Sequence, residues 1–154
     1  MIAIVAAMTR GRVIGIGDSL PWNIPDETRH YRKLVNGKTI ILGRKTFEAM
    51  KGNLPGLNKI VISRSTVQVE GAELCGTFEE ALEKSRAYGS DAFVLGGQSI
   101  FELAMPYADM MFISYIKKDY EGDRFFPEID PADWNVESRQ DFAEFEYVVY
   151  SRKR

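Results

Sequence analysis

Apolar runs and segments of helical period alternate along the whole chain. Strands are predicted at residues 2–8, 38–42, 59–63, 72–75, 92–95 and 110–116, several of them continuous apolar runs typical of strands buried on both faces of a parallel sheet. Helices are predicted at residues 25–36, from 43 to about 51, at 78–88, and from the glycines at 96–97 to about 105. Thr77, with Glu80 three residues on, is expected to form a capping box at the start of the third of these helices. Residues 134–142 and 145–150 form a closing antiparallel pair around a turn at 143–144. This order predicts one α/β domain, residues 1–154, with a mostly parallel sheet.

The helix predicted at residues 25–36 carries the most unusual feature of the pattern. Pro25 suits a first helical position, Asn36-Gly37 is a stop signal, and one face of the helix is apolar except for a carboxylate. That face comprises Ile24, Glu27, Tyr31, Leu34 and Val35, whereas the opposite face comprises Asp26, Arg29, His30 and Lys33. His30 is therefore expected in solvent, with Asp26, four residues before it, as its partner.

Two interpretations of Glu27 are open from spacing alone. Acidic residues favour the first turn of a helix because the macrodipole is positive there, and Asp26 fits this explanation well. Glu27 fits it badly, because a carboxylate that faces the core without a partner costs several kcal/mol or becomes neutral. The alternative is a half-buried carboxylate with a raised pKa, which binds a ligand that offers paired N–H donors.

Three connections carry further candidate chemistry. Residues 9–23 form a glycine-rich connection that is long for a compact domain, and such loops are often functional. The junctions Gly43-Arg44-Lys45-Thr46 and Gly96-Gly97-Gln98-Ser99 each join a strand to a helix, where free N–H groups can bind phosphate. The third strand ends in Ser63-Arg64, which adds a second arginine at the same edge of the sheet. The pattern is neither G-x-G-x-x-G after the first strand nor a P-loop.

Composition excludes several classes of protein. The chain has 154 residues, 45% hydrophobic content and a net charge of −2, which gives no electrostatic case for nucleic acid or an anionic membrane. Neither a signal peptide nor a membrane span is predicted. The single cysteine, Cys75, excludes an internal disulfide and predicts a cytoplasmic location. With His30 as the only histidine, neither a zinc site nor a Ser-His-Asp triad is expected, and no metal site is predicted.

From end to end the chain resembles dihydrofolate reductase. The resemblance rests on motifs that occur in the family's order: Ala6-Ala7, Arg12-Val13-Ile14-Gly15, Leu20-Pro21-Trp22-Asn23, Pro25, the acid at Glu27, Gly43-Arg44-x-Thr46, Leu54-Pro55-Gly56, Ser63-Arg64, Gly96-Gly97, Glu121-Gly122-Asp123 and Phe126-Pro127. It implies a central sheet of eight strands flanked by helices, with an antiparallel C-terminal strand. The implied reaction is NADPH-dependent reduction of 7,8-dihydrofolate to tetrahydrofolate, which supplies one-carbon metabolism.

The resemblance also assigns roles around the substrate. Glu27 takes the place of the family's acid, which holds the pterin at N3 and the 2-amino group and assists its protonation. Ser114 falls where the family has a threonine that hydrogen-bonds this acid, and Trp22 is expected to hold a water near the pterin carbonyl. Loop 9–23 is expected to close over the nicotinamide, with Leu20 at its tip and Asp123 on the loop that steadies it. The full set expected to bind substrate is Val5, Ala6, Glu27, Thr28, Tyr31, Arg32, Met50, Leu54, Leu57, Leu95, Phe101 and Ser114.

A second set of residues is implied for the cofactor. Arg44, Ser63 and Arg64 are expected to hold the 2′-phosphate, which favours NADPH over NADH. Thr46 and the helix start at 96–99 are expected to face the pyrophosphate, with a cis peptide between Gly96 and Gly97. The full set is Ala7, Ile14, Gly15, Asp18, Leu20, Gly43, Arg44, Lys45, Thr46, Ile62, Ser63, Arg64, Gly96, Gly97, Gln98, Ser99, Ile100 and Phe101.

The chain departs from the family pattern at three positions. Leu57 stands where the family usually has an arginine that binds the α-carboxylate of the glutamate tail. Phe101 replaces a frequent tyrosine beside the nicotinamide, and Thr28 is smaller and more polar than the usual wall residue. Of the three, Leu57 bears most directly on the substrate.

Two alternative functions are weighed against this one. The first is a related NADPH-dependent reductase of another pterin or a pyrimidine, and the second is a non-catalytic nucleotide-binding module. Loss of NADPH absorbance on adding dihydrofolate separates all three. The partners expected from the resemblance are the small-molecule substrate and antifolate inhibitors of the diaminopyrimidine or pteridine type. The protein is expected to be a monomer.

Overall fold

An eight-stranded sheet forms the centre of the computed structural model, which describes residues 1–17, 19–50, 54, 56–65, 68–89 and 91–154. The strand order is β5-β4-β3-β6-β1-β7-β10-β9, and a separate two-stranded ribbon pairs β2 with β8. All neighbours from β5 to β7 are parallel, whereas β10 is antiparallel to both β7 and β9. The mostly parallel eight-stranded sheet expected from the sequence is therefore confirmed.

The helices and strands have the following bounds. The strands are β1 (Ile2–Thr9), β2 (Val13–Gly15), β3 (Thr39–Gly43), β4 (Asn58–Ile62), β5 (Glu73–Cys75), β6 (Ala92–Gly96), β7 (Met110–Ile116), β8 (Arg124–Phe125), β9 (Trp134–Asp141) and β10 (Phe145–Arg152). The helices are α1 (Pro25–Val35), α2 (Arg44–Met50), α3 (Phe78–Arg86) and α4 (Gln98–Ala104). No helix among the described residues is long and apolar enough to cross a membrane.

Helices cover both faces of the central sheet. Successive side chains of its strands point to opposite sides, so both sets of side chains are buried. One apolar cluster joins α1 and α2 to one face, and it includes Val35, Phe47, Val5, Leu42 and Val61. The other joins α3 and α4 to the opposite face, and it includes Phe78, Leu82, Ile100, Ala104, Ile4 and Ile41. Burial on both faces explains why the central strands are continuous apolar runs.

Two short strands, β2 and β8, were not predicted. The connection at residues 9–23 contains β2, which pairs with the two-residue strand β8 through Val13↔Phe125 and Gly15↔Arg124. Strands of three and two residues are too short to show a period of two, and the partner lies more than 100 residues away in the sequence.

The predicted capping box at Thr77 is half correct. Thr77 is the N-cap of α3, and its hydroxyl oxygen accepts a hydrogen bond from the Glu80 N–H at 3.1 Å. The Glu80 carboxylate, however, accepts a hydrogen bond from the Gly76 N–H at 3.3 Å and not from the cap residue itself. The two interactions fix the chain where it leaves β5 and enters α3.

The prediction that His30 is solvated and paired with Asp26 was wrong. The His30 ring is half-buried and lies against Phe142 and Tyr147, with ring centroids 5.5 and 4.1 Å away. Asp26 instead forms an ion pair with Arg29. The C-terminal hairpin covers this side of α1, and helical periodicity cannot anticipate such a distant partner.

Candidate active site

A large cleft opens at the edge of the sheet where β1, β3, β4 and β6 end. It has a volume of about 1170 Å³, and α1 forms part of its wall through Glu27, Thr28, Tyr31 and Arg32. Parallel strands place their carboxyl ends at one edge, so the segments that follow them meet there. The cleft therefore brings the carboxylate of α1 together with both glycine junctions identified in the sequence.

Glu27 is buried, with 8% of its surface exposed, although its carboxyl group lines the cleft. Burial raises its pKa to about 7, while a hydrogen bond from the Ser114 hydroxyl opposes this rise. Ser114 is thus a hydrogen-bond partner of the acid. Asp26, by contrast, is exposed. The carboxyl group of Glu27 is present in both protonation states near pH 7, as general acid–base chemistry requires.

Trp22 lies just before α1 and is 7% exposed. Its ring packs against Tyr120 at 5.6 Å, and its Nε1–H has no hydrogen-bond partner among the described residues. A buried donor of this kind usually binds an ordered water or a ligand. This is the arrangement expected of a residue that holds a water beside the substrate.

The stem of loop 9–23 is tied to the segment that contains β8. The Gly17 N–H donates a hydrogen bond to the Asp123 carboxylate at 2.8 Å, and the Asp123 N–H donates one to the Gly15 carbonyl at 3.1 Å. Gly122 lies so close that a Cβ atom there would be 2.4 Å from the Gly15 carbonyl oxygen. Beyond the stem, Leu20 lines the cleft and is 59% exposed. The loop therefore has a fixed stem and an exposed apolar tip over the cleft.

Cationic and hydroxyl side chains gather where β3 and β4 end. Arg44 directly follows β3, Ser63 and Arg64 follow β4, and all three line the cleft together with Lys45. The Ser63 and Ser65 hydroxyl groups are 3.0 Å apart. Guanidinium, ammonium and hydroxyl groups are the donors that phosphate oxygens prefer. The set fits a cofactor phosphate at this position.

Glycines keep the backbone open beside this cationic group. Gly96 has a φ of +111°, and its peptide bond to Gly97 is cis, as expected. A Cβ at Gly96 would lie 2.9 Å from the Phe101 ring, and one at Gly97 would lie 3.3 Å from the Thr46 hydroxyl oxygen. The Cβ at Gly96 would clash with the Phe101 ring, whereas a side chain at Gly97 would project towards Thr46 on the other junction, so glycine at 97 leaves room for a ligand against the backbone. This space also fits a phosphate-bearing cofactor.

Most residues predicted to bind substrate or cofactor line the cleft: Val5, Ala6, Ala7, Ile14, Gly15, Leu20, Glu27, Thr28, Tyr31, Arg32, Gly43, Arg44, Lys45, Thr46, Met50, Ile62, Ser63, Arg64, Leu95, Gly97, Gln98, Ser99, Ile100 and Phe101. Trp22, Leu54, Leu57, Gly96 and Ser114 are described but do not line it. Leu57 is 72% exposed, and Leu54 packs in the core cluster of α1 and α2. Asp18, Pro55 and the Lys51-Gly52 pair lie outside the described residues.

A third junction contributes to the cleft and was not predicted to do so. Gly76, Thr77 and Phe78 line it where β5 passes into α3. The sequence signal was present, because a strand, a glycine and a helix cap follow one another there as they do at the other two junctions. Ser19, Ala49, Leu103 and Arg124 also line the cleft without having been predicted.

The fold and cleft define an α/β enzyme that binds a phosphate-bearing cofactor beside a carboxyl group able to exchange protons. Comparison with known proteins is more specific. The sequence profile of the family "Dihydrofolate reductase" matches residues 1–152. The chain is 34% identical to "Dihydrofolate reductase type A13" of Escherichia coli, covering 99% of this chain and 94% of that protein. It is 31% identical to the dihydrofolate reductase of Bacillus subtilis (strain 168), with 99% and 95% covered.

A solved structure agrees with these sequence relatives. It is the dihydrofolate reductase from Enterococcus faecalis complexed with NADP(H) and RAB-propyl, with a TM-score of 0.91, 29% identity, and 100% of this chain and 97% of that chain covered. The present chain therefore belongs to the dihydrofolate reductase family. It is an NADPH-dependent oxidoreductase that reduces dihydrofolate, and the two alternative functions are set aside.

Proposed function

We propose that Glu27 binds the pterin ring of dihydrofolate and assists its protonation. A pterin offers an N–H at N3 and a 2-amino group side by side, and the two carboxylate oxygens of Glu27 can accept from both. The observation that carries this proposal is a buried carboxyl group, with a pKa of about 7, in the wall of the family's cleft. The unpartnered Nε1–H of Trp22 supports a bound water nearby as the route for the proton.

The remaining residues of the cleft would bind and orient the cofactor and exclude water. Arg44, Ser63 and Arg64 would hold the 2′-phosphate of NADPH, and Thr46 with the backbone at 96–99 would lie along the pyrophosphate. Loop 9–23 would close over the nicotinamide through Leu20 and exclude water, which strengthens electrostatic interactions in the site. NADPH supplies the hydride when it is bound, so the protein contributes alignment, a proton and a dry environment.

The test compares two neighbouring carboxylates. Glu27→Gln should lower kcat/KM for dihydrofolate by about 10²–10⁴, since it removes both the charge and the proton-transfer group. Asp26→Asn is the matched control, because Asp26 is exposed and pairs only with Arg29 among the described residues. Both variants are assayed by the loss of NADPH absorbance. Equal losses in both, or full activity in Glu27→Gln, would show that the wrong carboxylate has been chosen.

Other expectations stay predictions. The small-molecule substrate and inhibitor binding follow from the family, and diaminopyrimidine or pteridine antifolates are the inhibitors we expect. A monomeric state is checked by light scattering on the purified protein. A cytoplasmic location, expected from the single free thiol of Cys75, is checked by cell fractionation.

A further inference from the structure

Arg44 is already engaged by a carboxylate of its own helix. The Nη1 atom of Arg44 lies 3.0 Å from Oε1 of Glu48, one turn further along α2. The side chain of Arg44 is 32% exposed, and that of Glu48 is 54% exposed. Arg44 lines the cleft, whereas Glu48 does not, and the ion pair between them is partly exposed to solvent.

The other cations of this group differ from Arg44. Lys45 and Arg64 are exposed, and neither forms an ion pair or a hydrogen bond with another described residue. A dianionic phosphate arriving at the cleft thus meets two cations without a described carboxylate partner and one that shares its charge with Glu48. Among the described residues, Arg44 is the one proposed phosphate ligand with a carboxylate within contact distance.

We propose that Glu48 is a specificity-determining residue that restrains the preference for NADPH over NADH by repelling the 2′-phosphate that Arg44 binds. The inference rests on the phosphate-binding role proposed for Arg44. Glu48 does not contact the reacting atoms, so it acts only through the cofactor's affinity. NADH lacks the 2′-phosphate, so its affinity should not depend on the charge of Glu48.

Glu48 should weaken the binding of the 2′-phosphate, and the reason lies in the strengths of the two interactions with Arg44. An exposed pair at i, i+4 is weak, whereas a charge-assisted bond to phosphate is strong, so the phosphate is expected to bind Arg44 even while Glu48 is present. The Glu48 carboxylate and the dianionic 2′-phosphate then lie on opposite sides of the Arg44 guanidinium, roughly 6 Å apart. Repulsion across that distance weakens phosphate binding by about threefold at ~0.15 M ionic strength and about sevenfold at ~0.01 M.

The experiment measures equilibrium binding to the full chain by calorimetry, with NADPH, NADH and adenosine 2′,5′-bisphosphate as ligands. Glu48→Gln keeps the size of the side chain and removes its charge. It should tighten NADPH and the bisphosphate by about threefold at ~0.15 M salt, and more at low salt, while the affinity for NADH stays the same. Glu144→Gln is the matched control, because Glu144 is exposed in the turn between β9 and β10 and does not line the cleft.

Three results would overturn the inference. The first is that Glu48→Gln does not bind NADPH more tightly than the wild type. Unchanged binding would mean that Glu48 has no effect on the phosphate, and weaker binding would mean that Glu48 orients Arg44 for it. The second is an equal gain for NADH, and the third is an equal gain in Glu144→Gln, which would reflect net charge alone. Thermal melting of each variant establishes that it is folded.

Arg44→Gln separates this inference from the proposed function. If it weakens NADPH and leaves NADH unchanged, Arg44 holds the 2′-phosphate whatever Glu48→Gln does, and a null result at Glu48 counts against Glu48 alone. If Arg44→Gln leaves NADPH binding unchanged, the phosphate site itself has been misplaced, and the role of Glu48 falls with it.

Discussion

The burial of Glu27 predicts that removing the proposed catalytic acid stabilises the protein, by an amount that grows as the pH rises above 4.5. In the unfolded chain this carboxyl group titrates near 4.5, whereas in the folded protein its pKa is about 7. At pH 8 it is ionised in both states, but in the folded state the charge lies in an apolar environment. Glu27→Gln replaces the carboxylate with a neutral side chain of the same size and removes that cost.

The magnitude follows from the two pKa values. One pKa unit corresponds to about 1.4 kcal/mol, so a rise from 4.5 to about 7 lowers the free energy of unfolding by about 3 kcal/mol once both states are ionised. The cost is absent well below pH 4.5, where both states are protonated. It develops as the pH rises from 4.5 to 7, reaching roughly 1 kcal/mol at pH 5 and roughly 3 kcal/mol at pH 8.

The assay is urea unfolding of the cofactor-free wild type and of Glu27→Gln at pH 5, 6, 7 and 8. The difference in unfolding free energy should shift in favour of the variant by about 2 kcal/mol between pH 5 and pH 8. Any constant cost of the buried amide cancels from that change, as does the titration of His30, which both proteins share. A difference independent of pH would mean that the carboxyl group titrates normally, and the account of a pKa raised by burial would be wrong.

Three further predictions concern the cofactor, the substrate tail and the C-terminal hairpin. Replacing Arg44 and Arg64 together by glutamine should weaken NADPH selectively, each contact to a charged group being worth about 1.5–3 kcal/mol, and equal losses for NADH would refute the assignment. Because Leu57 offers no donor to the glutamate tail, dihydropteroate should match dihydrofolate within about tenfold in kcat/KM. Leu57→Arg should lower KM for dihydrofolate alone, and a hundredfold native preference for dihydrofolate would contradict this. Burial lowers the pKa of His30, so the contribution of this side chain to stability, present above pH 6.5, is lost as the pH falls, and in urea melts the unfolding free energy of His30→Phe relative to the wild type should rise between pH 7 and pH 5.

The helices and strands whose burial or capping shows in a few consecutive residues were predictable from the sequence. Buried strands such as β1 and β6 are continuous apolar runs, and Thr77 begins α3 with a cap that depends on a residue three positions away. Glu27 was identifiable for the same reason, because helical spacing alone placed a carboxylate among apolar residues. These features depend on local sequence and on the period of burial.

Features that depend on distant pairing were not predictable in this way. The ribbon of β2 and β8 needs partners more than 100 residues apart, and too few residues take part to leave a pattern. The contact of His30 with Tyr147 joins α1 to the last strand, so this one residue of the polar face is partly covered while Asp26 stays exposed. The contribution of Thr77 to the cleft likewise depends on β5 lying beside β4 in the sheet.

The segment from Trp22 to His30 shows how activity and stability conflict in this fold. Trp22 Nε1 and His30 Nδ1 are buried without a hydrogen-bond partner among the described residues, and Glu27 is buried with one hydrogen bond from Ser114. Each such group destabilises the folded state, and the apolar residues of α1, with Val35 fully buried, offset that cost. The same apolar surroundings hold the pKa of Glu27 near 7, within reach of a proton at physiological pH. A more polar wall around the acid would stabilise the protein and return the carboxyl group to a pKa at which it could no longer donate.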